Sequence, residues 1–418
     1  MEQSLNNIQL HDDWGVYVSE DDEDEVTELT EGVDGYIVRV GFPGPPCYPV
    51  SIGELIQGGG KSYRIEHKLG HGAFSTVWLA FEVDTGTSVA LKIHRTLTTV
   101  GQVESRIHQQ IQQLIPDPGD SHLVSSTSAF SLPGRFPQVQ QVMGPSLHKY
   151  MSSWGTFSDS ATRLRLAKDI LIAVACFHAH KFIHRDINDN NVMLGIVPGA
   201  LDQGSTPSER YNQVDRPQKF PLPTCEWIWR PGDLVAPIQW PSNMVAKTAF
   251  LSDFGLSMRA GSPITDNCLP PLPCVPPELF HEGFEHTYES DMWDFMCVFA
   301  TLMTNSSPFD GWSASGPLGC MARVIGPLPR EWDGRYKWPR HYPEEERRKW
   351  YDQSRTPDYP FEALLDLSRE DLIKSKEREL ILDVFHKGFR YQPSERITAQ
   401  QLLDDASFQE LMSIHGIE

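Results

Sequence analysis

The run His184-Arg185-Asp186-Ile187-Asn188-Asp189-Asn190-Asn191 constrains this 418-residue chain more than any other stretch. The carboxylate of Asp186 is followed, at a fixed offset, by the amide of Asn191, and Asp253-Phe254-Gly255 comes further on. Carboxylate and amide oxygens are hard donors suited to Mg²⁺. A chemistry that needs them together is transfer of a phosphoryl group to a hydroxyl. In that chemistry Asp186 is the catalytic base or hydroxyl-orienting group, and Asn191 and Asp253 ligate the metal whose charge offsets that of the phosphates. An isolated H-R-D is a weak signal. The asparagine at its offset and the later D-F-G sharpen it.

A second set of residues suits the nucleotide. Leu69-Gly70-His71-Gly72-Ala73-Phe74-Ser75-Thr76-Val77 lies between two strand-like runs. Its glycines let backbone amides approach phosphate oxygens, although Ser75 stands where a third glycine is usual. Alone this match is weak, because glycine turns between strands are common. Val89-Ala90-Leu91-Lys92 adds a lysine on the third strand, suited to the α- and β-phosphates, with Glu104 as its expected partner. By themselves Lys92 would be an exposed strand lysine and Glu104 a solvated helix residue; the motif order favours the pair. Adenine needs an apolar slot, with Val77 and Ala90 as its roof and Met193 as its floor. The hinge is expected at Gln141-Val142-Met143-Gly144. Val, Ala and Met are more often plain core residues.

Periodicity sets the organisation. Residues 1–44 turn strongly acidic at Ser19 to Glu25 and are expected to be a disordered tail. Residues 45–143 read as a small β-rich lobe. Tyr63 to Leu69, Ser75 to Phe81 and Ser88 to His94 are its strands, and Gln102 to Leu114 is a helix. Residues 144–418 read as a larger, mainly helical lobe. In it Ala161 to His180 is a long helix capped by Ser158-Asp159. Residues 196–248 accumulate Pro, Gly and Trp without clear periodicity and read as an insertion into that lobe.

The net charge of −20 disfavours nucleic acid and anionic membranes as partners and favours basic proteins, although solubility alone would explain it. Seven cysteines with no zinc spacing suggest free thiols in a reducing compartment. The N-terminus lacks the pattern of a secretory signal, and the apolar run Ile170 to Phe177 is far too short to span a bilayer. The expectation is an intracellular protein, in cytoplasm or nucleus, acting as a monomer.

Further marks carry a family resemblance. Pro276-Pro277-Glu278, Asp291-Met292-Trp293 and Arg396 in Pro393-Ser-Glu-Arg-Ile-Thr follow in order. From about Tyr63 to Phe408 the chain resembles eukaryotic protein kinases. Tyr48-Pro-Val-Ser-Ile-Gly-Glu-Leu55, Phe74-Ser-Thr-Val-Trp-Leu79, Met143-Gly-Pro-Ser-Leu147 and Val324-Ile-Gly-Pro-Leu-Pro329 resemble the SR-protein kinases, particularly divergent fungal ones. The resemblance implies an α+β bilobal fold and ATP- and Mg²⁺-dependent phosphorylation of serine or threonine, with Arg/Ser-rich proteins as the substrate class. It also implies a buried ion pair between Glu278 and Arg396.

Two departures bear on activity. Asn188 replaces the lysine that steadies the transferring phosphate in the family. Pro271 stands about where a threonine partners that lysine. An active Ser/Thr kinase is the first reading. A pseudokinase scaffold that keeps the fold is the second, and a small-molecule kinase the third. Arg185 also raises the expectation that phosphate on Ser257, Ser262 or Thr265 orders the segment after Asp253.

Overall fold

The structure, a computed structural model, describes residues 13–18, 48–72, 75–94, 99–132, 135–155, 157, 159–201, 206–222, 230–264, 269–309, 316–337, 343–369 and 375–417. Phe74 and Thr265 lie outside them. The chain divides into two compact units: residues 1–113, 124–144 and 195–246, and residues 114–123, 145–194 and 247–418.

The strands run β1 Val16–Tyr17, β2 Leu55–Gly58, β3 Lys61–His71, β4 Ser75–Glu82, β5 Thr87–His94, β6 Ser126–Ala129, β7 Gln138–Gln140, β8 Phe182–Ile183, β9 Val192–Ile196, β10 Gln218–Leu222, β11 Gly232–Val235, β12 Val245–Leu251 and β13 Met258–Arg259. In the first unit β2-β3-β4-β5-β7-β6 form one sheet, antiparallel throughout. Side chains alternate across it. Trp78, Ala80, Leu91, Ile93 and Val139 pack with Tyr63 and Ile65 on one face. Leu79 and Ala90 share the other with Val142. Helix α1, Thr99–Leu114, buries Ile107 and Ile111 at the spacing the sequence shows.

The described residues within 195–246 are folded, and they belong to this first unit rather than to the helical one. They contain β10, β11 and a short helix, Pro207–Tyr211. Thr206 caps that helix in a capping box with Glu209. Periodicity missed the segment because its elements are short and its core contacts come from scattered Leu201, Tyr211, Val214, Ile238, Trp240 and Met244. The N-terminal stretch departs from expectation too. β1 pairs in parallel with β10, Val16 opposite Gln218, and Asp13 pairs with Arg216 at 2.6 Å. Of residues 1–44 only 13–18 are described, and they hold this strand; the acidic run Ser19 to Glu25 lies outside the described residues.

The second unit is mainly helical. Ser160–Ala179 is capped by Asp159, whose carboxylate accepts from Thr162 N–H at 2.6 Å. Tyr288–Thr304 is buried on almost every side, carrying Met292, Trp293, Phe295, Met296 and Phe299. It packs on Ser160–Ala179 and on Lys376–Gly388. No described helix is long and apolar enough to cross a membrane.

Candidate functional site

In the first unit β5 presents Lys92 and α1 presents Glu104, and the two meet at 2.7 Å with both side chains buried. Two imidazoles complete the cluster. His94 Nε2 lies 2.9 Å from Glu104 Oε2, and His108 Nε2 lies 3.5 Å from Oε1. Ser126 N–H donates to His108 Nδ1 at 3.1 Å, so that ring carries its proton on Nε2, toward the carboxylate. Burial alone would raise the Glu104 pKa. The Lys92 ammonium and the two histidines outweigh it and hold the carboxyl well below its ordinary range. The sequence shows both histidines without naming their use. His94 follows Lys92 by two, on the same strand face, and His108 follows Glu104 by one helical turn.

Leu69 and Gly70 lie on β3, and Gly72 follows it. A Cβ on Gly70 or Gly72 would meet nothing within 4 Å, and Gly72 N–H donates to Ser75 O at 2.9 Å. Val77 on β4 and Ala90 on β5 share an apolar cluster with Leu69. Gln141 is exposed and Met143 buried.

In the second unit β8 and the turn after it set the residues His184 to Asn191. Asp291 accepts from His184 N–H at 2.7 Å and Arg185 N–H at 2.8 Å, and His178 lies 3.0 Å away. These bonds hold Arg185 at φ 72°, a left-handed conformation costly for a side-chain-bearing residue. Asp186 is then gripped by two amides. Asn188 Nδ2 donates to its Oδ1 at 2.8 Å and Asn191 Nδ2 to its Oδ2 at 2.7 Å. Asn188 Oδ1 accepts from Asn190 N–H at 3.0 Å, so that amide is fixed at both ends. Burial and the nearby Asp253 carboxylate push the Asp186 pKa up to about 7, against the two amide bonds and Arg185.

Asp253 follows β12 at φ 61° and accepts from Gly255 N–H at 3.4 Å. Ser252 N–H donates to Asn191 O at 2.9 Å, which ties D-F-G to the catalytic loop. Phe254 stacks on Phe177 at 5.3 Å and meets His184 edge-on at 5.5 Å. Met193 on β9 is half-buried, bridged to Ser146.

The donor chemistry fits Mg²⁺. Asn191 turns its Nδ2 to Asp186, which leaves Oδ1 as its acceptor, and Asp253 adds carboxylate oxygens. These are hard ligands in the small number that Mg²⁺ takes from protein when phosphates supply the rest. Among the described residues no group of three or more His, Cys, Asp or Glu could hold a metal by itself.

Residues 63–199 match the protein kinase domain. The β-rich unit and the helical unit are those of a protein kinase fold. The chain is 24% identical over 357 residues to the serine/threonine-protein kinase AFC3 of Arabidopsis thaliana, covering 83% of this chain and 82% of that one. It is 23% identical over 350 residues to the dual specificity protein kinase lkh1 of Schizosaccharomyces pombe, covering 82% of this chain. It is 22% identical over 377 residues to a probable serine/threonine-protein kinase, clkA, of Dictyostelium discoideum, covering 85% of this chain. It spans only 46% of lkh1 and 36% of clkA.

The ion pair that the resemblance implies between Glu278 and Arg396 is formed. Arg396 meets Glu278 through two 3.0 Å bonds, both residues buried, with the guanidinium 5.0 Å over Trp293. Pro271 is exposed. Ser257 is buried, its hydroxyl donating to His184 O at 3.3 Å, and Ser262 is half-buried. The Arg185 guanidinium donates to Leu256 O at 3.1 Å.

Proposed function

We propose that this chain is a protein kinase that uses ATP and Mg²⁺ to phosphorylate serine or threonine in protein substrates. The observation that carries the reading is the Asp186 carboxylate, held by the Asn188 and Asn191 amides with Asp253 close enough to shift its titration. Asp186 orients the substrate hydroxyl and accepts its proton. Lys92, kept charged by Glu104, binds the α- and β-phosphates. Leu69, Val77, Ala90 and Met143 serve the adenine, with backbone groups of Gln141 toward the purine edge and the backbone of Gly70 and Gly72 toward the phosphates. Asn191 and Asp253 would hold magnesium, which would supply positive charge to the phosphates. The net charge of −20 suits basic substrates, Arg/Ser-rich proteins among them. A cytoplasmic or nuclear site suits the free-thiol composition.

Asn188 favours a second reading, in which transfer is slow and the domain acts mainly by binding. Its amide is spent on Asp186 and on Asn190, and it carries no charge for the moving phosphate. Loss of one positioned transition-state donor costs roughly 10²–10³ in rate. Labelled γ-phosphate transfer to an Arg-Ser repeat peptide, run beside Asp186→Ala, separates the readings. Transfer by the wild type alone supports the kinase. Nucleotide-induced stabilisation without transfer supports the binding domain.

A further inference from the structure

Residues 195–246 hold on to one short stretch of β3. Arg210 pairs with Glu66, its Nε 2.7 Å from Oε2, and both side chains are buried. Tyr211 Oη donates to Glu66 O at 2.7 Å. Ile238 N–H donates to Lys68 O at 2.8 Å, beside a parallel bridge between Lys68 and Pro237. Asp215 lies 3.6 Å from His67 Nε2 and accepts from Gln239 N–H at 2.9 Å. The bonds thus converge on Glu66, His67 and Lys68.

That stretch is where β3 needs support. Its register against β4 shifts between Ile65 and His67 and again between Lys68 and Gly70. Each shift interrupts the ladder and re-aims the strand. The strand then runs directly into Gly70-His71-Gly72, where Gly70 pairs with Val77, His71 with Thr76 and Gly72 N–H donates to Ser75 O at 2.9 Å, so the stretch that feeds the loop and β4 set its path together. The same segment packs Ile238, Trp240 and Met244 into the cluster that contains Ala90, with Leu69 and Val77 against it. Simple covering of apolar surface would need no buried ion pair. Arg210 and Glu66 incur desolvation that only well-placed partners offset, and so they fix direction as well as contact.

We propose that the described part of residues 195–246 is a positioning element for the nucleotide, with Arg210 and Tyr211 as its positioning residues. They hold the bulged stretch of β3, and with it the glycine loop, while Ile238, Trp240 and Met244 back the apolar face that Leu69, Val77 and Ala90 offer to adenine. This inference deepens the kinase reading and rests on it.

The test uses the full chain with Arg210→Met, Tyr211→Phe and Trp240→Ala. Mg·ATP affinity is measured by calorimetry, and KM for ATP is measured separately from kcat and from KM for a peptide. The expected result is roughly tenfold weaker ATP binding in Arg210→Met and a few-fold loss in Tyr211→Phe, with KM for ATP rising in step. The kcat and the peptide KM stay at wild-type values. Tyr211→Phe removes one hydroxyl and keeps the ring, so it decides the matter should Arg210→Met fail to fold. A lowered melting temperature with unchanged ATP affinity and KM overturns the inference, because the segment is then only structural. Tighter ATP binding in Trp240→Ala also overturns it, because the segment then obstructs the nucleotide. Wild-type protein that binds no Mg·ATP overturns the kinase reading together with the inference, whereas wild-type binding that the variants leave intact overturns the inference alone.

Discussion

Replacing Asn188 by lysine changes the one group that most separates this loop from its expected pattern. Asn188 Nδ2 sits 2.8 Å from Asp186 Oδ1, so a lysine rooted there brings an ammonium within about 4 Å of the carboxylate. At an effective dielectric constant of about 20 that attraction is worth ~4 kcal/mol, or about three pKa units. The Asp186 pKa, pushed up to about 7 by burial and by Asp253, should return to the ordinary carboxylate range. The sign is fixed by the working form. A base must be ionised, so wild-type activity rises with pH through about 7, and the acid limb of Asn188→Lys moves toward pH 4. The added charge should also raise kcat by roughly 10²–10³. The lysine gives up the bond to Asn190 N–H, which costs about 1 kcal/mol of local stability. The assay is the pH dependence of kcat/KM for both proteins with one peptide. An acid limb that stays near 7 with no gain in rate would refute the reasoning.

Arg396→Met strands the buried Glu278 carboxylate and should cost about 3–5 kcal/mol, or roughly 3–6 °C of melting temperature for a chain of this length, in thermal unfolding; a loss below about 1 kcal/mol would contradict the pair's structural role. Glu104 has a depressed folded-state pKa, so its stabilisation is present above its ordinary value of 4.5 and is lost as pH falls through the folded value. Glu104→Gln should therefore flatten the acid side of the stability–pH curve in urea titrations, and an unchanged slope would count against the Lys92–Glu104–His94 cluster. Phe254→Ala removes the ring stacked on Phe177 and should destabilise by about 3–5 kcal/mol, read as a lower urea midpoint with an unchanged m value.

How much of this was legible in the chain depends on the range of the interaction. Alternation gave Lys61–His71, Ser75–Glu82 and Thr87–His94 to within two residues, and the Asp159 cap gave the start of Ser160–Ala179. The Lys92–Glu104 pair was expected from motif order and the Glu278–Arg396 pair from the family resemblance, and both are formed. The two amides on Asp186 were half visible. Asn191 was assigned to metal and Asn188 was seen as a missing charge, but that both also grip the carboxylate depends on a turn no periodicity encodes. Residues 195–246 were opaque for the same reason. Glu66 and Arg210 are 144 positions apart, and nothing local marks either as the other's partner. The strand Val16–Tyr17 was hidden by its acidic surroundings, because composition averages over a tail and cannot single out two residues that pair with Gln218 and Lys219.

The central claim is that Asp186 works on a hydroxyl attacking a nucleotide's terminal phosphate. Single-turnover transfer of labelled γ-phosphate from Mg·ATP to an Arg-Ser peptide, comparing wild type with Asp186→Ala, addresses it most directly. Label should appear on serine with wild type and fall by about 10² or more with the variant. Equal labelling by the two proteins, or none above the variant's level, would contradict it.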